Sequence, residues 1–251
     1  MLELLGLPYS PWTEKARWAL DVRKVPYRYR VYSPLIGELE LRLKTRRMLG
    51  VVSVPLLSDG RGGVYDDSAK IARFADTQGD GPLLFPPEHE AAIARWIELS
   101  ERGLSAVRVL SLERQLLDDE ALSEMVPGGL RRKLGLLAPR VGAFGLRRTL
   151  RKYGAGARTL DQHRQVARAT LAEVRAALRD SPSSPKTLLG SFTFADIAVT
   201  QILSFVLPPT FGLKLGKAAR RGFTDQMLAQ EFADLVAWRD ALYESYRPRA
   251  A

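Results

Sequence analysis

A chain of 251 residues, 46% hydrophobic and 26% charged, can bury a substantial core as one large or two smaller soluble domains. It contains no cysteine, which excludes disulfides, thiolate metal sites and a protein-borne thiol nucleophile; its two histidines, His89 and His163, are too isolated for a metal centre or a Ser-His-Asp triad. The formal charge of +10 is uneven, with nine Lys/Arg and no Asp/Glu in residues 131–158. Such a block suits an anionic partner (a small acid, a phospholipid surface or nucleic acid) or a solvated loop of a basic protein. Only Phe144 and Tyr153 interrupt it, too few aromatics for a single-strand-binding groove.

In chain order, LELLG (2–6) reads as a short apolar strand, and Pro11 to Val22 as a helix with Ala16, Ala19 and Leu20 on one side. YRYRVY (27–32) alternates as a strand with one wet face, and GELELRLKTRRML (37–49) reads as a helix. VPLLS (54–58), the turn DGRGG and VYD (64–66) form a hairpin, and SAKIARFADTQ (68–78) is a helix opening at a serine N-cap. Neither DGRGG nor GAGAR (154–158) is followed by the Lys-Ser/Thr helix start of a phosphate loop.

GDGPLLFPPEHE (79–90) is a Pro/Gly-rich break, and helical periodicity dominates after it: 90–116, 160–180, TFADIAVTQILSFVL (193–207) and DQMLAQEFADLVAWRDALYESY (225–246). The apolar stretch 188–207 carries Asp196 and a capping pattern, so it reads as a buried helix, not a membrane span. No basic region precedes the first apolar run, so no signal peptide is expected and a cytoplasmic location is the default. These elements divide the chain into 1–79, a linker at 80–89, and an all-helical 90–251.

This layout, an α/β module of βαβ–ββα order followed by an all-α domain, resembles the cytosolic glutathione transferases, whose N-terminal domain is thioredoxin-like. SVPLL (53–57) resembles the family's Val-Pro at the third strand; there a cis proline exposes backbone to the cysteinyl part of glutathione, which would assign Val54 and Pro55. YDDSAKIARFAD (65–76) resembles the acidic-Ser pair that takes the γ-glutamyl ammonium and carboxylate, which would assign Asp67 and Ser68. TFAD (193–196) resembles the capping box of the central helix, a structural feature.

The resemblance also implies a hydroxyl at the first strand–helix junction that stabilises the glutathione thiolate. LPYSPW (7–12) offers two, Tyr9 and Ser10. Ser10 is favoured because it directly precedes a proline at the first helical position, as in serine-type members. Lys44, with Arg46 or Arg47 as substitutes, would hold the glycyl carboxylate. Trp12 and the helix around Ala106–Leu110 would bound the electrophile site, with the basic block as a lid. The expected activity is conjugation of a hydrophobic or acidic electrophile to glutathione as co-substrate, or peroxide reduction or thiol-dependent elimination, as in detoxification. Cysteine-dependent disulfide exchange is disfavoured. No metal is expected, and a homodimer is. The rival expectation is a non-catalytic module that applies its basic face to an anionic partner.

Overall fold

The computed structural model describes residues 1–33, 37–153 and 158–249. Its first third builds a four-stranded mixed sheet in the order β2-β1-β3-β4, from β1 (Glu3–Gly6), β2 (Arg28–Val31), β3 (Leu56–Ser58) and β4 (Val64–Tyr65). β1 and β2 pair in parallel through the crossover helix α1 (Pro11–Val22), whereas β1–β3 and β3–β4 are antiparallel. Strand alternation sorts the side chains onto two faces. Leu4 and Leu57 face α1 and α3 (Ser68–Gln78) with Ala16, Leu20, Ile71 and Ala75, while Leu5 and Leu56 face α2 (Glu38–Thr45) through Leu41. This is a thioredoxin-like domain.

Two sequence expectations change here, and a third holds. The second helix stops at Thr45 instead of reaching residue 49, because Arg46 turns left-handed (φ 54°) and ends the hydrogen-bond ladder. The guanidinium of Arg42 satisfies the carbonyls of Met48 (2.9 Å) and Gly50 (3.2 Å) outside the helix instead. The cap of α3 is Asp67, not Ser68: Asp67 Oδ1 accepts from the amides of Ala69 (2.8 Å) and Lys70 (3.3 Å), and Ser68 is the first helical residue. In the DGRGG turn, Asp59 Oδ1 accepts from the amides of Arg61 (2.7 Å) and Gly63 (2.9 Å), which closes the hairpin as expected.

The helical domain is organised on α4 (Glu90–Leu116), which packs against α8 (Leu160–Arg179) and α9 (Phe194–Thr200). Every residue of α9 is buried, and a 3₁₀ turn (Gln201–Phe205) continues it. No described helix is long and apolar enough to cross a membrane. The capping box is present: Asp196 Oδ2 accepts from the Thr193 amide (2.9 Å) and Oδ1 from the Leu188 amide (2.8 Å). Burial pushes the Asp196 carboxyl up to about 7, against those hydrogen bonds.

The basic block is not a loop. It forms α6 (Gly128–Leu134), a short 3₁₀ turn and α7 (Ala138–Lys152), packed with α5 (Asp119–Glu124) on the far half of α4 through Leu112, Leu122 and Leu146. Residues 154–157 of the GAGAR segment lie outside the described residues. The C-terminal helix is in two pieces, α11 (Gln226–Glu231) and α12 (Ala233–Tyr246), broken at Phe232; α10 (Lys217–Phe223) precedes them.

The two domains meet along α1. Its face away from the sheet carries Glu14, Lys15 and Trp18, each buried. Lys15 Nζ donates to Glu101 Oε1 (2.7 Å) and Ser100 Oγ (2.9 Å). Arg247 donates to Glu14 Oε1 (2.6 Å) and to Asp21 Oδ2 (2.6 Å). Burial opposes charge on Arg247, but the two carboxylates outweigh it and its pKa is raised. Trp18 Nε1 donates to the Tyr246 carbonyl (2.9 Å), and its ring sits 4.5 Å from that of Tyr243.

Removing Arg247 would leave the Glu14 carboxylate buried with Arg17 alone. Arg247→Met is expected to lower unfolding free energy by about 3 kcal/mol in urea titrations, the cost of an uncompensated buried charge. At the start of α3, Asp67→Ala should cost about 1 kcal/mol as a lost N-cap, and Ser68→Ala clearly less. The reverse order in the same titration would restore Ser68 as the cap.

Candidate functional site

The chain leaves β1 at Gly6 and enters α1 five residues later, at Pro11, and two hydrogen bonds hold the turn. The Leu7 amide donates to Thr13 Oγ1 (3.2 Å), and the Ser10 amide donates to the Leu7 carbonyl (3.0 Å). Gly6 is required here because a Cβ would stand 2.4 Å from Thr13 Cγ2. Ser10 is the N-cap, in extended backbone, with Pro11 following. Its Oγ accepts from the Thr13 amide at 3.4 Å, and among the described residues its hydroxyl donates to none. One proton is therefore available at the positive end of a twelve-residue helix.

Tyr9 is placed differently. Its ring packs against the interdomain core, and burial, then the neighbouring Tyr29 and Tyr32 phenols, push its own phenol up to about 12. Those neighbours belong to β2 or follow it, on one side of β1. The cis Val54–Pro55 bond enters β3, on the other side of β1. Of the two hydroxyls at the junction, that of Tyr9 thus lies toward β2, and that of Ser10 caps α1.

Lys44 is not gathered at this end. Its ammonium lies 3.3 Å from Glu3 Oε1 and 3.9 Å from Glu40 Oε1, at the start of β1, whereas Ser10 follows the end of that strand. Of its substitutes, Arg46 terminates α2 and Arg47 pairs with Asp66 Oδ2 (2.7 Å), one residue before Asp67. Asp66 also takes Lys70 Nζ (2.9 Å).

The cations that do approach come from α7. Lys152 Nζ donates to the Val52 carbonyl (2.5 Å), Arg148 pairs with Glu38 Oε2 (2.6 Å), and the Tyr153 phenol lies beside Ser53. Burial holds the Lys152 ammonium below its usual pKa; Glu38 opposes this, and Arg148, Arg42 and Arg108 reinforce it. An open groove of about 450 Å³ runs along this helix, lined by Phe144, Arg148, Arg151 and Lys152. The last turn of α7 therefore lies across the segment that leads into Val54–Pro55. The sequence exposed the charge of this block; its position depends on α5 and α7 folding back over α4.

On the opposite wall stands Trp12. Its indole nitrogen donates to Glu101 Oε2 (2.7 Å), whose carboxyl burial would raise but Lys15 holds below the usual range. In the helical stretch Ala106–Leu110, Ala106 and Leu110 are buried in the helical core, and Arg108 between them is what faces Trp12. Its guanidinium carbon is 4.8 Å from the Trp12 ring centroid and 3.9 Å from that of Tyr153. Periodicity alone could have found it, since Glu101 and Arg108 are seven residues apart on one helical stripe.

With this geometry in hand, the chain can be set beside known proteins. Residues 1–78 match the family model "Glutathione S-transferase, N-terminal domain". No curated protein sequence matches the chain. Among solved structures, a glutathione S-transferase of Methylobacillus flagellatus with GSH bound is similar at 16% identity and a TM-score of 0.62, covering 97% of this chain and 95% of its own. One from Ceriporiopsis subvermispora in complex with glutathione is 20% identical, with a TM-score of 0.63 and coverages of 99% and 98%. Glutathione transferase GSTFuA3 from Phanerochaete chrysosporium is 16% identical, with a TM-score of 0.64 and coverages of 100% and 98%. Residues 1–78 thus match the glutathione S-transferase N-terminal domain, and the chain as a whole carries the glutathione S-transferase fold.

Proposed function

We propose that this chain is a glutathione transferase in which Ser10 stabilises the glutathione thiolate for attack on a second substrate. The observation that carries this reading is the free hydroxyl proton of Ser10 at the N-terminus of α1, beside the strand that Val54–Pro55 enters. A free thiol near pKa ~8.5 is mostly protonated at neutral pH. Lowering it by ~2 units requires about 2.7 kcal/mol of preference for the anion. One charge-assisted hydrogen bond together with a helix N-terminus is of that size.

In this reading the Val54 backbone holds the cysteinyl part of glutathione. Ser68, through its hydroxyl and its own amide, takes the γ-glutamyl carboxylate, and Asp67 takes its ammonium through Oδ2, since Oδ1 is occupied by the Ala69 and Lys70 amides. The glycyl carboxylate goes to Lys152 instead of Lys44, which lies with Glu3 at the other end of β1; Arg42, paired with Glu38 (2.7 Å), adds positive field beside Lys152. The activated sulfur then displaces a leaving group from carbon or adds to an activated double bond, and the proton it sheds passes to solvent. The cytoplasm, where glutathione is kept reduced, is the compartment that suits this chemistry.

Ultraviolet absorbance of bound thiolate, followed against pH, tests the assignment. The wild type should show a bound-thiol pKa about 2 units below the free value. Ser10→Ala should return it to about 8.5, while Tyr9→Phe should leave it within half a unit. An unshifted thiol in the wild type, or a loss confined to Tyr9→Phe, would remove Ser10 from this role.

The outer surface of α7 favours a second reading, a module that docks on an anionic partner. Phe144 is 59% exposed there, among Arg140, Arg147 and Arg151. If that surface were the main function, binding to an anionic polymer such as heparin should fall steeply with salt. Turnover of a neutral electrophile should change less than twofold across the same range.

A further inference from the structure

Arg108 is a charged side chain of the interdomain wall with no ion pair among the described residues and no part in the glutathione assignment. It projects from α4 between the Trp12 and Tyr153 rings, at 4.8 and 3.9 Å from their centroids. Trp12 lies one residue beyond Pro11, which follows Ser10, and Tyr153 lies beside Ser53, which precedes Val54. Arg108 therefore bridges the two segments between which the sulfur of a bound thiol would sit. Its Nε is closed off from solvent with no hydrogen-bond partner. Among the described residues, no carboxylate pairs with it, and the nearest acid, Glu101, is already taken by Lys15 and Trp12.

A guanidinium held in this way is prepared for a ligand. Two aromatic faces fix its plane, so little side-chain entropy remains to be lost when its N–H edge meets a planar anion. The local charge points the same way. Arg42, Arg108 and Arg148 all lie within electrostatic reach of Lys152, and Glu38 is the carboxylate that answers them there. Glutathione would bring one glycyl carboxylate and one thiolate to that cluster, which still leaves a positive charge. A neutral second substrate would leave it unanswered in a partly buried site.

We propose that Arg108 is a specificity-determining residue that binds a carboxylate on the second substrate, so that the preferred electrophiles are organic acids. This rests on the glutathione-transferase reading above. The carboxylate pairs with the guanidinium edge, stacked between Trp12 and Tyr153, and the apolar body of the electrophile lies toward Ser10. No bond to Arg108 is made or broken; it orients the reacting carbon toward the sulfur.

Two product-like probes that differ only at the tip decide the matter: S-hexylglutathione and S-(5-carboxypentyl)glutathione, titrated calorimetrically into wild type and Arg108→Gln. The wild type should bind the carboxylate probe at least tenfold more tightly than the hexyl probe. Arg108→Gln should abolish that preference while its affinity for the hexyl probe stays within threefold, and its urea midpoint should match the wild type. Equal wild-type affinity for the two probes overturns the proposal, as does an equal loss of both in Arg108→Gln, which would assign Arg108 to glutathione itself or to structure. Failure of both probes to bind the wild type would instead sink the glutathione reading, and this inference with it. The hexyl probe alone separates the two failures.

Discussion

Everything in this molecule depends on α1 being buried on two sides. One side seals the sheet with Ala16 and Leu20, as in any crossover helix. The other carries Glu14 and Lys15 into the interdomain core at about 1% exposure each. Two opposite charges cannot be taken out of water without partners, so the helical domain must bring Arg247 to Glu14 and Glu101 to Lys15. A hydrophobic interface tolerates sliding, but hydrogen-bonded ion pairs at 2.6–2.7 Å do not. The relative placement of the domains follows from that geometry, and so does the wall of the site.

The same helix supplies the chemistry. Its N-terminus is where Ser10 sits, and its second residue, Trp12, is tied to Glu101, the acid that pairs with Lys15 one turn later. The site is therefore built on the pairs that join the domains. α4 runs across α1 and offers Ser100 and Glu101 to the dock, then Arg108 to the site, two turns further on. The basic α7 closes the third side. It is anchored by apolar contacts to α4 and α5, not by its charges, so its Lys and Arg tips remain available to carbonyls and anions.

Local chemistry was legible wherever it was decided locally. Pro11 after Ser10 marks the start of α1, and Thr193 with Asp196 marks the start of α9, since caps need only neighbouring residues. Where two residues compete for one local task, the sequence misled. Asp67 and Ser68 can each cap α3, and Asp67 takes the cap because it adopts the extended backbone of that position (φ −144°, ψ 145°). α2 ends early for a related reason: Arg42 can reach three carbonyls beyond the helix, which compensates for the hydrogen bonds that helical continuation would have made.

The division between sequence and structure follows interaction range. Amino-acid order alone determined the strand–helix alternation of the first eighty residues, the helical remainder, the caps and the concentration of positive charge, because each depends on residues within a turn or a hairpin of one another. Only the tertiary structure decided that Lys44 pairs with Glu3, that Tyr9 sits beside the Tyr29 and Tyr32 phenols, and that Arg108 stands between Trp12 and Tyr153. Those pairs join residues between 20 and 96 positions apart, where the register of the sheet and the crossing of α1 with α4 set the distance. No periodicity along the chain encodes such a distance, because it is fixed by packing and by the pairing of buried charge.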